Sequence, residues 1–477
     1  MPYGRRWPAV CSRSLLAALL ASAAGPGSAA AGAAERTEPA PDTGSAASAD
    51  DGAAASLELF RTGVESEERF DEDLERARAL RDTREYVDAL RILEDLLGRV
   101  RTKHGQWDMR NVAVLAELGR VQQALGNLRP ADGLYRQALH VTRVNQGLHD
   151  LSQVDILQDL TEVQVELGDY ETANQIQEYA LYIQQRTHGQ GSPATLPGLY
   201  RLAEWWRRTG NIFSARALYE QAVRIIEANY GPRDIRLVDA LHGIAGTYRQ
   251  ERYPTRPLVA PEENDFTVTS QTGGMGAMGA QTPFVDDTRM RLNHYGQGEE
   301  ALLRIVEIVD GQPGVTPRER AQARLELGDW YIVFDKWSAA FEAYAEVREL
   351  LLEAGWDPSR LEEFFGRPTR LVFPIPEPPR RPGPGSPMVA MQGYVEVVYD
   401  VSERGRVGRV DVVDSRPDGL LDFRTRKAIR SARFRPRFED GEAVATEDMR
   451  YRHEFVYFEA PEESGPGEET AAQQGGN

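Results

Sequence analysis

The side chains with the most to offer chemically are Tyr200, Arg207 and Arg208. Aromatic and guanidinium groups are favoured as anchors for a protein partner, so the chemistry they suggest is recognition. The seven histidines are His104, His140, His149, His188, His242, His294 and His453, and no two have HExxH or another metal-ligand spacing. There is no GxSxG elbow and no P-loop. Gly274, Gly276 and Gly279 spell GxGxxG, but "AQTP" follows, and Pro283 stops the helix that a dinucleotide site requires. The many carboxylates are interleaved with arginine, as on a solvated helix face. The expectation is a protein that is not an enzyme and carries no cofactor.

The net charge of −18 over 477 residues argues against nucleic acid, which needs a basic footprint, and against an electrostatic hold on anionic lipid. Arg5, Arg6 and Arg13 precede the apolar run Ser14–Ala24, which small residues follow. That is the pattern of an export signal over 1–34, with cleavage after Ala31 or Ala33. The run is shorter than the roughly 20 residues of a membrane span, so no span is expected after cleavage. The single cysteine, Cys11, lies inside this segment, leaving the mature chain without a thiol. A linker composition occupies 35–56 and an acidic tail 461–477.

Between 57 and 373 the pattern is helical and periodic. Small residues recur at Ala89, Ala131, Ala173 and Ala215, a constant step of 42, and again at Ala340. Leu118, Gly119, Gly126, Ala131, Tyr135 and Ala138 reappear as Leu202, Ala203, Gly210, Ala215, Tyr219 and Ala222. Leu327, Gly328, Trp337, Ala340 and Tyr344 echo them. Small residues let helices cross closely, and the aromatic fills the gap between pairs. This resembles the tetratricopeptide repeat in a 42-residue form, which implies a solenoid of helix pairs with a groove lined by first helices. The register points Arg120, Gln123, Gln158, Glu162, Tyr200, Glu204, Arg207 and Arg208 into that groove. A fifth unit is split by an insertion over 254–297, whose Gly- and Met-rich loop could act as a flap on the groove.

After a proline-rich linker (374–388) comes "GYVEVVYDVSERGRVGRVDVV", whose alternating apolar residues predict a β-hairpin. Leu421, Ala428, Ile429 and Ala432 predict a covering helix, and Tyr451, Phe455 and Tyr457 one face of a last strand. The G-x-V-x-V strand, the turn Val401, Gly405, Val407, the helix with Ala428 and the box Arg433, Phe434, Pro436 resemble the TonB C-terminal domain over 389–460. The fold class is therefore mostly α: a tetratricopeptide-type α-solenoid followed by a small α+β (ββαβ) TonB-like domain. The resemblance implies a periplasmic module that adds a peptide strand to its sheet, here along Tyr451, His453, Phe455, Val456, Tyr457 and Phe458. The expected function is an exported periplasmic adaptor for protein or peptide partners of the cell envelope, with outer-membrane transporters among the candidates. The alternative is an inner-membrane-anchored energy transducer of the TonB type.

Overall fold

Helix stops give the solenoid its rhythm. The computed structural model describes residues 68–255, 295–379, 382–383 and 387–460. The expected export segment, the 35–56 linker, the acidic tail and most of the 254–297 insertion, including its GxGxxG, lie outside the described residues. Among those described, six helix pairs follow one another. They are α1 (68–82) with α2 (Tyr86–His104), α3 (Arg110–Ala124) with α4 (Leu128–Gln146), and α5 (Gln153–Leu167) with α6 (Tyr170–His188). Next come α7 (Leu196–Thr209) with α8 (Ile212–Tyr230), α9 (Leu237–Arg252) with α10 (Tyr295–Gly311), and α11 (Pro317–Val333) with α12 (Trp337–Glu353).

Gly105, Gly126, Gly147, Gly168, Gly189, Gly210 and Gly231 all have positive φ and recur every 21 residues. From α3 to α8 each 42-residue repeat is thus two equal strokes, each stopped by a glycine. Gly168, after a first helix, is left-handed at φ 81°, ψ 8°. Gly147, after a second helix, sits at φ 91°, ψ 172°, a region essentially closed to L side chains. Ala89, Ala131, Ala173, Ala215 and Ala340 are all fully buried at 0% exposure. Tyr135 and Tyr344 lie flat on Gly119 and Gly328 of their own pairs, whereas Tyr219 lies on Gly243 of the next pair. The aromatic therefore fills gaps within pairs as well as between them.

A short helix, α13 (Pro358–Phe365), closes the array and β1 (Thr369–Val372) follows. The C-terminal module contains β2 (Val389–Val401), β3 (Val407–Arg416), α14 (Asp422–Arg430), β4 (Arg433–Arg435), β5 (Arg437–Glu439), β6 (Glu442–Val444) and β7 (Thr446–Glu459). Its main sheet is antiparallel in the order β3-β2-β7. Strand, strand, helix and strand are its frame, with the short β5–β6 hairpin added before β7. The helix is shorter than the sequence pattern predicts: Leu421 precedes it and Ala432 follows it, both buried, while Ala428 is only half-buried. Val395, Val397, Tyr399, Ile429, Phe434 and Phe455 meet in the core beneath the sheet.

β1, which the sequence division leaves with the solenoid, pairs antiparallel with β4 of the module. The contact continues into side chains. The Arg435 guanidinium donates to both carboxylate oxygens of Asp329 on α11, at 2.8 and 2.7 Å. Arg406 donates to Asp335 at 2.9 Å. Phe438 is 5% exposed and inserts among Phe341, Tyr344 and Phe365 of the solenoid end, with ring centroids 6.0, 5.4 and 5.5 Å away. The module is docked on the last helix pair.

Candidate functional site

Two surfaces carry candidate residues: the face made by the first helices, and the β7 edge of the module's sheet. On the first, positions 42 residues apart form rows running from helix to helix. Near the N-terminal end the row is self-neutralised. Glu117, 2% exposed, is held by Arg78, Arg81 and Arg120. Arg120 reaches on to Asp159 of the next repeat at 2.8 Å. Gln123 donates to Glu166 at 2.7 Å and accepts from the Tyr135 hydroxyl at 3.3 Å. These ties make Arg120 and Gln123 structural links between repeats.

One repeat further on, the face opens. Gln158, Glu162, Tyr200, Glu204 and Arg208, all named from the register, line one recess of about 640 Å³ between α5, α6 and α7. Thr161, Val165, Glu166, Gln177, Arg201 and Trp205 complete its wall. The indole nitrogens of Trp205 and Trp206 both donate to the Asn174 side-chain oxygen, at 3.1 and 3.0 Å, which fixes that wall. Arg207 lies outside the recess; it forks onto Glu204 at 2.7 and 2.8 Å. Burial pushes the Tyr200 hydroxyl well above its usual range. Burial, helped by Asp159 and Glu166, raises the Glu162 carboxyl. Burial lowers the Arg201 guanidinium. Sequence reasoning missed Arg201 and Trp205, although Arg201 occupies the same row as Glu117 and Asp159.

Further along, His242 on α9 and Glu326 on α11 approach to 2.5 Å. The contact pairs an imidazole with a carboxylate, an ion pair once the ring is protonated. Burial opposes charge on both groups, and each outweighs it for the other. The imidazole is held above its ordinary range, with Asp239 adding to the effect, and the carboxyl below its own. The His242 contribution to stability is full below about pH 6.5 and is lost as pH rises through the raised value. The Glu326 contribution is present above about pH 4.5 and is lost as pH falls through the depressed value. NMR titration of His242 should give a midpoint above about 6.5, and Glu326→Gln should bring it below. A wild-type midpoint at or below the ordinary value contradicts the pairing.

At the second surface, β7 pairs with β2 from Val389↔Glu459 to Val401↔Thr446 and lies at the sheet margin. The side chains of Tyr451, His453, Phe455 and Tyr457 are packed inward. They form a column against the core face, with successive ring centroids 6.4, 5.9 and 6.2 Å apart. Phe373 abuts Tyr451 at 4.8 Å. Burial lowers the His453 imidazole, in keeping with a packed ring. Strand alternation turns the other set outward: Arg452, Glu454 and Val456, the last 46% exposed, with Phe458 half-buried. What β7 offers a partner is its backbone edge and this outward row.

Residues 388–456 match the family model for the Gram-negative bacterial TonB protein C-terminal domain, and 199–235 match a tetratricopeptide repeat model. No curated protein matches the chain. Among solved structures, nearly identical tetratricopeptide-like repeats of a Podosopora anserina protein assigned as kinesin light chain are 21% identical. They cover 39% of this chain and 88% of theirs, with a TM-score of 0.35. BtubC from P. vanneervenii is 17% identical, covering 63% and 96%, at 0.37. A tetratricopeptide repeat protein from Parabacteroides merdae is 15% identical, covering 62% and 96%, at 0.26. Among the described residues no helix is long and apolar enough to cross a membrane, and no group of three His, Cys, Asp or Glu is placed to hold a metal ion. The chain joins a tetratricopeptide-type helical solenoid to a strand-rich domain of the Gram-negative TonB C-terminal type.

Proposed function

We propose that this protein is an exported periplasmic adaptor. One partner segment lies across the first-helix groove, and an extended peptide from an envelope protein adds to the sheet along β7. The observation that carries the reading is the outer edge of β7, which no other strand among the described residues pairs, presented by a module docked on the solenoid end. Main-chain pairing there would supply affinity, and the outward row of Arg452, Glu454 and Val456 selectivity. Those charges would also protect a free edge from random pairing. Tetratricopeptide repeats and TonB C-terminal domains are protein-interaction modules, and the TonB match speaks for the Gram-negative envelope. The dock supports an adaptor over an energy transducer, because a module fixed by Arg435 and Phe438 is not free to reach outward on its linker.

Two measurements test the proposal. Mass spectrometry of the mature chain should find an N-terminus near Gly32 or Ala34; an intact N-terminus in the membrane fraction counts against an exported adaptor. Val456→Pro fixes φ and removes a backbone donor from β7. In a variant whose circular dichroism is unchanged, it should abolish binding of extended periplasmic peptides to the intact protein. Unchanged peptide binding in that folded variant rules out strand addition on β7.

A further inference from the structure

Between α5 and α7 the solenoid leaves two opposite charges without an ion pair where its own register would let them pair. Arg120 on α3 and Asp159 on α5 occupy equivalent positions one repeat earlier and bond at 2.8 and 3.0 Å. The same two positions in the next repeat hold Glu162 and Arg201, the charges exchanged. Complementarity is kept, but no ion pair or hydrogen bond joins them, and the recess of about 640 Å³ lies there instead. Of the neighbouring charges, Asp159 is paired with Arg120 and Glu204 with Arg207, Glu166 is held only by the neutral Gln123 amide, and Asp155 stands near enough to Arg201 to favour its charge without forming an ion pair. Glu162 and Arg201 are half-buried, so each has given up part of its hydration without gaining an ion pair or hydrogen bond. Arg208, at the exposed rim, adds a second free guanidinium beside Arg201. Tyr200 and Trp205 add aromatic wall to the same recess.

We infer that this recess is the specificity pocket of the groove and takes a dipolar peptide segment: a Lys or Arg side chain against Glu162, and an Asp or Glu side chain within a few residues of it against Arg201. The inference rests on the reading that the groove binds peptide. A ligand with both charges restores at this repeat the pairing that the protein makes for itself at the one before. A purely cationic or purely anionic segment would leave one buried charge unmatched. Peptide backbone laid across successive first helices meets α5 and then α7, so the basic residue and the acidic residue come in a fixed order.

The probe is a random-peptide display library panned on the intact protein. Enriched peptides should carry a basic and an acidic residue at constant short spacing and order. Glu162→Gln should weaken the selected peptide about tenfold, and Arg201→Gln should do the same. Repanning on Glu162→Gln should lose the basic preference alone, and on Arg201→Gln the acidic preference alone. Two results overturn the inference in different ways. Peptides that bind equally well to Tyr200→Ala, or no enrichment at all, sink the groove reading itself. Peptides that need Tyr200 but carry no paired charges, or keep both preferences in the two charge variants, leave the groove reading standing and remove the assignment of Glu162 and Arg201.

Discussion

Replacing Arg435 by alanine should cost about 3–5 kcal/mol and split thermal unfolding into two transitions, because it breaks a buried ion pair at the junction of two folded parts. The Arg435 side chain is 7% exposed and its partner Asp329 21%. Burial alone would disfavour the guanidinium charge; the Asp329 carboxylate outweighs it and holds Arg435 above its ordinary range. Asp329 also accepts from the Tyr344 hydroxyl at 2.8 Å, so the pair is wired into the aromatic cluster around Phe438. Truncating one partner leaves the other charge at the interface without its counter-ion. Removing both, in Arg435→Ala with Asp329→Ala, should therefore cost less than the sum of the single changes. Calorimetry on the four proteins of that cycle checks it. A single transition at the wild-type temperature in Arg435→Ala would show that the dock is held elsewhere.

The second large effect separates two glycines on adjacent helices. A Cβ on Gly119 of α3 would stand 2.6 Å from the Tyr135 ring, which is itself fully buried and cannot swing away. Gly119→Ala should therefore overpack the pair and destabilise by about 1–3 kcal/mol. At Gly133 of α4 nothing lies within 4 Å of the same added atom. Gly133→Ala should instead stabilise by about 0.5–1 kcal/mol, by removing backbone freedom from the unfolded chain. Urea denaturation reads both. Effects of the same sign at the two sites would contradict the way the pairs cross.

The repeat was legible because helix crossing admits only small side chains, so Ala131, Ala173 and Ala215 had to recur in step. The glycine series at 21-residue steps is equally present in the sequence, and its half-period emerges when helix stops are followed as well as crossings. The dock was not legible. Arg435 is one arginine among several in "RFRPRF", and its partner lies 106 residues away on α11. Nothing local distinguishes an arginine that forks onto a distant carboxylate from one in solvent. β1 was hidden for the same reason, since four residues before a proline-rich stretch show no period. In the groove, Gln158, Glu162, Tyr200, Glu204 and Arg208 share one recess, while Arg207 folds back onto Glu204. On β7 the sequence showed which side chains share a face but not that the aromatic set faces the core. A fragment cut at 390–460 would omit β1 and bare Phe438, so strand addition has to be tested on the intact chain.

The most direct test of the account is amide hydrogen exchange on the intact protein, with and without an extended peptide selected from a periplasmic peptide pool. Strand addition predicts new protection in Tyr451–Phe458, at the amides that point away from β2, with little change in α14. Protection confined to α14 or β3, or none anywhere in the module while the peptide is bound, would contradict it.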